Sequence, residues 1–188
     1  MNAEMVTAYI GLGSNLGERS ANLLLAVRGL LEASICIKRL SAIYETEPLE
    51  VEDQPPFLNM VVEAEIRNVT PEQMMARMLR IEYLLGRKRD FPKAPRTVDL
   101  DLLLFGDLKH HTDFLTVPHP QLHLRKFVLV PLDEIAPSVN HPVLNKTIRE
   151  LLKKTPDKSN VRRWKPAPES EKHESKPDKL NVPESAKI

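Results

Sequence analysis

Residues 57–66 carry the sequence FLNMVVEAEI, in which the apolar positions from 58 onward recur at every second residue. A period of two is typical of a strand with one buried face, and it puts Phe57 and Asn59 on the opposite face. Residues 70–73 (TPEQ) form a capping box with proline at the first helical position. They predict a helix that ends near Gly86, so a half-buried strand leads directly into a helix.

Further short elements surround this strand–helix pair. They are strands predicted at 6–11, 35–44 and 97–105 and a helix predicted over 23–31. The order strand, helix, strand, strand, helix, strand is typical of a ferredoxin-like α+β sandwich with a mainly antiparallel sheet. We expect the helices to pack on one face and the other face to be free for a site. Residues 46–56 and 87–95 are predicted to be long active-site loops.

The C-terminal third contains an apolar run over 127–135 and a second capping box, at 147–150, which predicts a short final helix. From residue 165 onward Pro, Glu, Ser, Lys and Asp dominate. Such a composition buries too little apolar surface to offset the entropy lost on ordering. The sequence therefore predicts a domain over residues 1–164 and a disordered polar tail over residues 165–188.

Composition narrows the classes of function. The chain has 188 residues, 41% of them hydrophobic, and a formal net charge of +1. This balance provides no long-range field for nucleic acid or a membrane surface. The single cysteine, Cys36, rules out an internal disulfide and is expected to be buried in its apolar run. No run of about 18 apolar residues and no signal pattern is visible, so we expect no transmembrane helix and a cytoplasmic location.

Two carboxylates interrupt the apolar strand at 97–105. Asp99 and Asp101 are two residues apart and therefore share one face, roughly 6.5–7 Å from each other. Aspartate is depleted in strands, and two close carboxylates repel unless a cation relieves them. They can bind Mg²⁺ together with substrate phosphates, although a solvated strand face is an equally simple explanation of the pair alone.

A basic cluster directly precedes this strand: Arg87, Arg89, Lys93 and Arg96. Arginines bind phosphate oxygens bidentately, and acids for metal beside bases for phosphate are what phosphoryl transfer requires. The cluster therefore favours an ATP-Mg site over a solvated face.

Two other motifs leave alternatives open. The glycines at 11, 13 and 17 suggest dinucleotide binding, but the third comes one residue late for that motif, which favours a structural turn. His119 and His123 are four residues apart and could bind zinc in a helix, but the flanking prolines argue against one. A phosphate contact from His119 is the other possibility. Phe57 and Asn59 together could stack on and hydrogen-bond a flat heterocycle.

The sequence resembles the 6-hydroxymethyl-7,8-dihydropterin pyrophosphokinase family across nearly the whole predicted domain. The matching segments are Gly13-Ser14-Asn15-Leu16, Tyr44-Glu45-Thr46 with Pro48, Gln54-Pro55-Pro56-Phe57-Leu58-Asn59, Arg80-Ile81-Glu82 with Gly86-Arg87, Pro95-Arg96-Thr97-Val98-Asp99-Leu100-Asp101-Leu102, Thr116-Val117-Pro118-His119-Pro120, and Arg125 with Phe127 and Pro131-Leu132. Of these, the Pro-Arg-Thr-x-Asp-Leu-Asp string is the most specific.

The resemblance implies transfer of diphosphate from ATP to the pterin hydroxymethyl group in folate biosynthesis, with release of AMP and two Mg²⁺ ions as cofactors. The metal would be bound by Asp99 and Asp101. The implied pterin contacts are Thr46, Leu49, Phe57, Asn59 and Phe127. The implied ATP contacts are Glu82, Arg89, Arg96, Leu102, Thr116, His119 and Arg125. The implied catalytic groups are Arg89, Arg96, Asp99 and Asp101.

The chain departs from the family pattern in two loops. The loop after Gly86 lacks the tryptophan of familiar members, with Phe91 nearby, and Glu50 stands where a glycine is common. Both differences bear on loop closure. We expect a monomer whose partners are ATP and the pterin, with neither nucleic acid nor membrane. A ferredoxin-like module that binds a nucleotide or metal without turnover is the competing hypothesis, but it gives no role to Phe57 and Asn59.

Overall fold

The structure is a computed structural model that describes residues 5–47, 54–87 and 95–166. Leu49 and Arg89, which are predicted site residues, lie outside these ranges, as do Glu50, Phe91, Lys93 and the predicted tail beyond Pro166. Within the described ranges the predicted α+β sandwich of the ferredoxin-like type is confirmed: an antiparallel six-stranded sheet packs against helices.

Eight strands and four α-helices follow one another along the described chain. The strands are β1 (Met5–Ser14), β2 (Cys36–Leu40), β3 (Tyr44–Thr46), β4 (Phe57–Arg67), β5 (Asp99–Phe105), β6 (His110–His111), β7 (Thr116–Val117) and β8 (Val161–Arg163). The helices are α1 (Arg19–Glu32), α2 (Pro71–Leu84), α3 (Lys126–Ile135) and α4 (Ile148–Lys154). Both predicted capping boxes are present, with Thr70 at the start of α2 and Thr147 at the start of α4.

The main sheet has the order β5-β1-β4-β3-β8, and β2 also pairs with β4. Its long central pair runs antiparallel from Met5 opposite Arg67 to Ser14 opposite Leu58. A separate two-stranded ribbon joins β6 and β7. Strand β8 was not predicted, because three residues with mixed polarity carry no periodic signal; it pairs with β3 through Thr46 and Val161.

One face of the sheet is apolar and lies under α1 and α2. The alternation predicted for β4 is confirmed there, since all of its even-numbered apolar side chains from 58 to 66 belong to one buried cluster with both helices. The two helices pack so closely that a side chain at Gly29 would lie 2.9 Å from Ile81. This face is the main core of the molecule.

The opposite face is not entirely free, contrary to the expectation. Helices α3 and α4 cover part of it and form a second buried cluster with Tyr9, Val61, Leu103 and Leu104. The run at 127–135 is therefore an amphipathic helix that closes one end of this face. Among the described residues, no helix covers the other end of the face.

Three further expectations were wrong in detail. A bulge in β5 places both Leu103 and Leu104 on the second face, so the strict alternation predicted for Leu104 fails. The strand predicted over 35–44 is two strands, β2 and β3, separated by three residues. Cys36 is exposed, because β2 lies at an edge of the sheet and, among the described residues, pairs only with β4.

The helices of the described residues were also compared with the dimensions of a bilayer. Not one of them combines the length with the apolar character that a membrane crossing requires.

Candidate active site

The open end of the second face contains a cavity of about 270 Å³. Strands β1, β4 and β5 form its floor, and the start of α3 forms one wall. The sequence-predicted residues that line it are Thr46, Phe57, Asn59, Arg96, Asp99, Asp101, Arg125 and Phe127. Residues that are far apart in the chain, on β3, β4, β5 and α3, are thus brought to one cavity.

An aromatic and amide wall occupies the β4 side of the cavity. The side chains of Phe57 and Asn59 lie on the face predicted for them, and the Asn59 amide donates to Thr46 Oγ1 at 2.8 Å. This bond fixes the orientation of an amide that is only 5% exposed. Phe127, from the first turn of α3, lines the same cavity. Two aromatic rings and an oriented amide suit a flat heterocycle with polar edges.

Two glycines of β1 form the floor beneath the acids. Gly11 pairs with Asp101 and Gly13 pairs with Asp99 in the antiparallel register. A Cβ atom at Gly13 would lie 3.2 Å from Asn59 Oδ1. Because glycine has no side chain, this part of the cavity stays open. The structural turn predicted for this motif is therefore wrong at these two glycines, which lie within the strand. The dinucleotide alternative is also excluded, since β1 is antiparallel to both neighbours whereas that motif needs parallel strands.

Asp99 lies in a cluster of charged side chains. Its carboxylate contacts Arg96 at 2.5 Å and Arg87 at 2.5 Å. Arg87 also contacts Glu82, which accepts a hydrogen bond from the Leu100 backbone N–H at 2.8 Å. Because Leu100 lies between the two aspartates, Glu82 holds the strand segment that carries them. Glu82 is itself 3% exposed and does not line the cavity.

Asp101 has no arginine within ion-pair distance in the described part of the chain; its nearest basic atom there is His119 Nε2, at 3.9 Å. Partial burial in the cavity, followed by the nearby Asp99 carboxylate, raises the pKa of Asp101 to about 7. Burial, followed by the positive charge of Arg125, lowers the pKa of His119 to about 4, which keeps its ring neutral near pH 7. The structure thus places a carboxyl group with a raised pKa beside a neutral imidazole.

Each aromatic ring of the cavity has an arginine over it. The guanidinium of Arg96 lies 5.7 Å from the centre of the Phe57 ring, and that of Arg125 lies 5.6 Å from the centre of the Phe127 ring. Cationic groups at this distance are attracted to the ring faces. The two guanidiniums therefore border the cavity next to the acid pair, where an anionic ligand could contact both.

The acid pair fits Mg²⁺ better than zinc. Carboxylate oxygens on one strand face are the donors that this ion takes together with phosphate oxygens. For the zinc alternative, the described residues contain no group of three His, Cys, Asp or Glu side chains arranged to hold a metal. His123 lies beside His141, with ring centres 6.2 Å apart, and does not pair with His119.

Four predicted ATP contacts are not among the residues that line the cavity: Glu82, Leu102, Thr116 and His119. The Leu102 side chain is buried in the core on the α1 and α2 side of the sheet. Thr116 is in β7, where its hydroxyl lies 2.9 Å from His111 Nδ1. Sequence reasoning did not single out Gly11, Gly13 or Val128 as lining residues; the period-two spacing of the two glycines within a strand was the available signal.

Known proteins resemble this chain in sequence. The sequence model of the 7,8-dihydro-6-hydroxymethylpterin-pyrophosphokinase family matches residues 9–137. Two bacterial 2-amino-4-hydroxy-6-hydroxymethyldihydropteridine pyrophosphokinases are similar to the chain. The protein of Bacillus subtilis is 42% identical over 84% of this chain and 90% of its own length. That of Aquifex aeolicus is 39% identical over 78% of this chain and 91% of its own length.

The fold is also found among solved structures. The Plasmodium falciparum HPPK-DHPS protein, solved with pteroate, superposes with a TM-score of 0.65 at 18% identity. The match covers 82% of this chain and 45% of that longer one, and at this identity it establishes the fold alone. Family and fold therefore agree, and the chain belongs to the 7,8-dihydro-6-hydroxymethylpterin-pyrophosphokinase family.

Proposed function

We propose that the cavity on the second face is where this chain carries out the reaction of its family. The enzyme transfers diphosphate from ATP to the hydroxymethyl group of 6-hydroxymethyl-7,8-dihydropterin in folate biosynthesis and releases AMP. The observation that carries the assignment is that Phe57, Asn59 and Phe127 line the same cavity of about 270 Å³ as Asp99 and Asp101. A nucleotide-binding module without turnover would not need both.

The pterin is proposed to lie between Phe57 and Phe127. The Asn59 amide, oriented by Thr46, donates to or accepts from the polar edge of the ring. Two aromatic faces contribute apolar contact area and stacking, while the amide selects the edge. Leu49 stays a prediction for the same subsite and lies outside the described residues.

Asp99 and Asp101 are proposed to hold two Mg²⁺ ions, which would neutralise charge on the ATP phosphates when bound. Asp99 is paired with Arg87 and Arg96 in the structure. Binding of the metal–nucleotide complex must therefore replace part of this pairing. An arginine that leaves Asp99 becomes available for a phosphate oxygen.

Arg96, Arg125 and His119 are proposed to contact the triphosphate, with Arg89 from outside the described residues. Arg96 and Arg125 already border the cavity. The neutral His119 ring can donate one hydrogen bond to a phosphate oxygen without adding charge. Arg89, Arg96, Asp99 and Asp101 form the proposed catalytic set. Glu82, Leu102 and Thr116 stay predicted nucleotide contacts. Because the Leu102 side chain is buried in the core, its backbone groups would make the contact.

The transfer itself is a displacement at phosphorus. The pterin hydroxymethyl oxygen bonds to the β-phosphorus, the bond from that phosphorus to the oxygen bridging to the α-phosphate breaks, and AMP departs with that oxygen. The hydroxyl proton passes to solvent as the new ester forms. The cavity contributes positioning and charge stabilisation.

The test is direct. Purified protein is mixed with ATP, Mg²⁺ and the pterin, and AMP and the pterin diphosphate are separated by chromatography. We expect equimolar formation of both, and neither product when the pterin or Mg²⁺ is omitted. Binding of both ligands without AMP would support the binding-module hypothesis instead. A cytoplasmic location and a monomeric state are part of the proposal and would be checked by fractionation and light scattering.

A further inference from the structure

The C-terminal segment, residues 155–164, lies beyond the part of the chain that the family model matches. We propose that Asp157 in this segment is a positioning residue for the pterin cavity, acting through the first turn of α3. The inference rests on the proposed function, because it assigns Arg125 and Phe127 to substrate. Asp157 contacts neither ligand in this proposal.

Helix α3 begins without a cap from its own N-terminal residues. Arg125 occupies the N-cap position, and its side chain makes no capping hydrogen bond. The N–H of the next residue, which has no partner within the helix, is bonded by a residue 31 positions away: Lys126 N donates to Asp157 Oδ2 at 2.7 Å. A carboxylate there accepts an otherwise unpaired donor and also interacts favourably with the positive end of the helix.

The Asp157 carboxylate is itself held in place. Its second oxygen accepts from the Ser159 backbone N–H at 2.8 Å, and the Lys126 ammonium donates to the Ser159 carbonyl at 3.0 Å. Burial would raise the pKa of Asp157, but the hydrogen bonds from Lys126 and Ser159 outweigh it and lower the pKa, so the carboxylate stays charged. Two residues of the segment thus clamp Lys126 from both its backbone and its side chain.

Lys126 lies between Arg125 and Phe127, two of the cavity residues that this wall supplies. Arg125 precedes it and Phe127 follows it, and their side chains stack on one another at 5.6 Å. Fixing the Lys126 peptide therefore fixes the backbone directions from which both side chains enter the cavity. If this turn frays, the aromatic ring and the guanidinium lose their common support.

The same segment also reaches the opposite wall. It continues into β8, which pairs with β3 through Thr46 opposite Val161. Thr46 is the residue that orients the Asn59 amide. One short piece of chain therefore connects the α3 wall and the β3–β4 wall of the cavity, and Asp157 is its attachment to the α3 side.

Asp157→Ala is expected to raise the KM for the pterin roughly 3- to 30-fold, the range that corresponds to loss of a helix cap. Hydrogen exchange of the amides at 126–129 should quicken in the same variant. Asp157→Asn keeps an acceptor oxygen and should restore most of both properties. Because it keeps the cap, it also provides a folded variant if the alanine change unfolds the protein.

Thr147→Ala is the matched control. It removes the cap of α4, where Thr147 accepts from the Glu150 N–H, and that helix does not line the cavity. We expect a similar fall in Tm with an unchanged pterin KM and unchanged exchange at 126–129. An Asp157→Ala protein that behaves like this control overturns the proposal, since Asp157 would then be merely structural. Absence of AMP formation in the unchanged protein would overturn the proposed function, while the exchange data would still decide whether Asp157 holds the turn.

Discussion

The two faces of the central sheet divide the work of the molecule between stability and chemistry. Strand β4 shows the division residue by residue: Leu58 is buried under the helices, while its neighbours Phe57 and Asn59 line the cavity. Strand β5 repeats it with Leu100 between Asp99 and Asp101. Strand alternation alone thus lets adjacent residues serve opposite purposes, and substitutions on the two faces should have separable effects.

The largest effect is expected on the site face, from Asp101→Ala. Loss of a carboxylate that is proposed to bind metal should lower kcat at least ~1000-fold, since several kcal/mol of charge stabilisation would be removed. The fold should survive, because Asp101 contributes no arginine ion pair among the described residues and is repelled by Asp99. Circular dichroism and steady-state AMP formation measure the two properties.

Asp107→Ala is the control for this variant, since it removes an exposed aspartate from the turn that follows the same strand. It should leave both properties unchanged. A folded Asp101→Ala protein with near-normal turnover in Mg²⁺ would show that the metal assignment is wrong. A variant that unfolds would show instead that the two faces are not separable here.

The apolar face should respond in the opposite sense, and Leu23→Ala tests it. Leu23 is fully buried on α1, against the side of the sheet remote from the cavity. Its truncation should lower the free energy of unfolding by about 2–5 kcal/mol. At a temperature where the variant is still folded, kcat and both KM values should stay within about twofold. Denaturant unfolding and steady-state kinetics at one temperature measure these properties. A large fall in kcat of the folded variant would show that the effects of the two faces are not separable.

The apolar face is also the part that sequence determined best. Periodicity of two in β4 and the capping boxes at Thr70 and Thr147 are local signals, and the structure confirms them. The acid pair and the Phe57–Asn59 face were likewise predicted, because alternation alone places them. Their assembly into one cavity with Phe127 follows only from long-range packing, to which the resemblance pointed and local patterns did not.

The remaining differences have physical causes of the same kind. The bulge at Leu103 depends on how β5 fits against β1, which no single-strand pattern contains. Asp157 follows no motif, and its contact with Lys126 joins positions 31 residues apart. Gly11 and Gly13 resemble a turn motif in sequence but lie in strand β1. Their lack of side chains leaves space above the sheet for the cavity.

The packing on the covered half of the second face should make the stability of the fold depend on pH, which packing on the apolar face does not. The His141 ring is 4% exposed and accepts from the N–H groups of Val143 and Leu144. Burial, followed by the charge of nearby His123, lowers its pKa. The folded protein thus binds this proton less readily than the unfolded chain, so stability is present above pH ~6.5 and is lost as pH falls below it.

His141→Asn keeps an acceptor without the titration, as in an Asx turn. Between pH 7.5 and 5, the Tm of the unchanged protein should fall more than that of the variant. A difference of about 2–4 °C would correspond to about 1 kcal/mol for the lost hydrogen bonding. Parallel pH profiles of Tm would mean that protonation of His141 costs the fold nothing.

The smallest effect is expected beyond both faces, from removal of the predicted tail. Trp164 still belongs to the domain. Its backbone N–H donates to the Ile43 carbonyl at 2.9 Å, and its side chain packs against the main core. A chain that ends at Pro166 keeps these contacts and all of β8. Its Tm, kcat and pterin KM should equal those of the full chain, because the polar sequence after it offers little apolar surface to bury.

A chain that ends at Asn160 is the informative comparison. It loses β8, the pairing of Val161 with Thr46, and Trp164. Because Thr46 orients Asn59, this shorter chain should show a higher pterin KM as well as a lower Tm. If ending the chain at Pro166 already lowers Tm by several degrees, the residues after it pack on the domain, and the boundary predicted from composition is wrong. Differential scanning fluorimetry of the three chains, with pterin titrations at saturating ATP, separates these results.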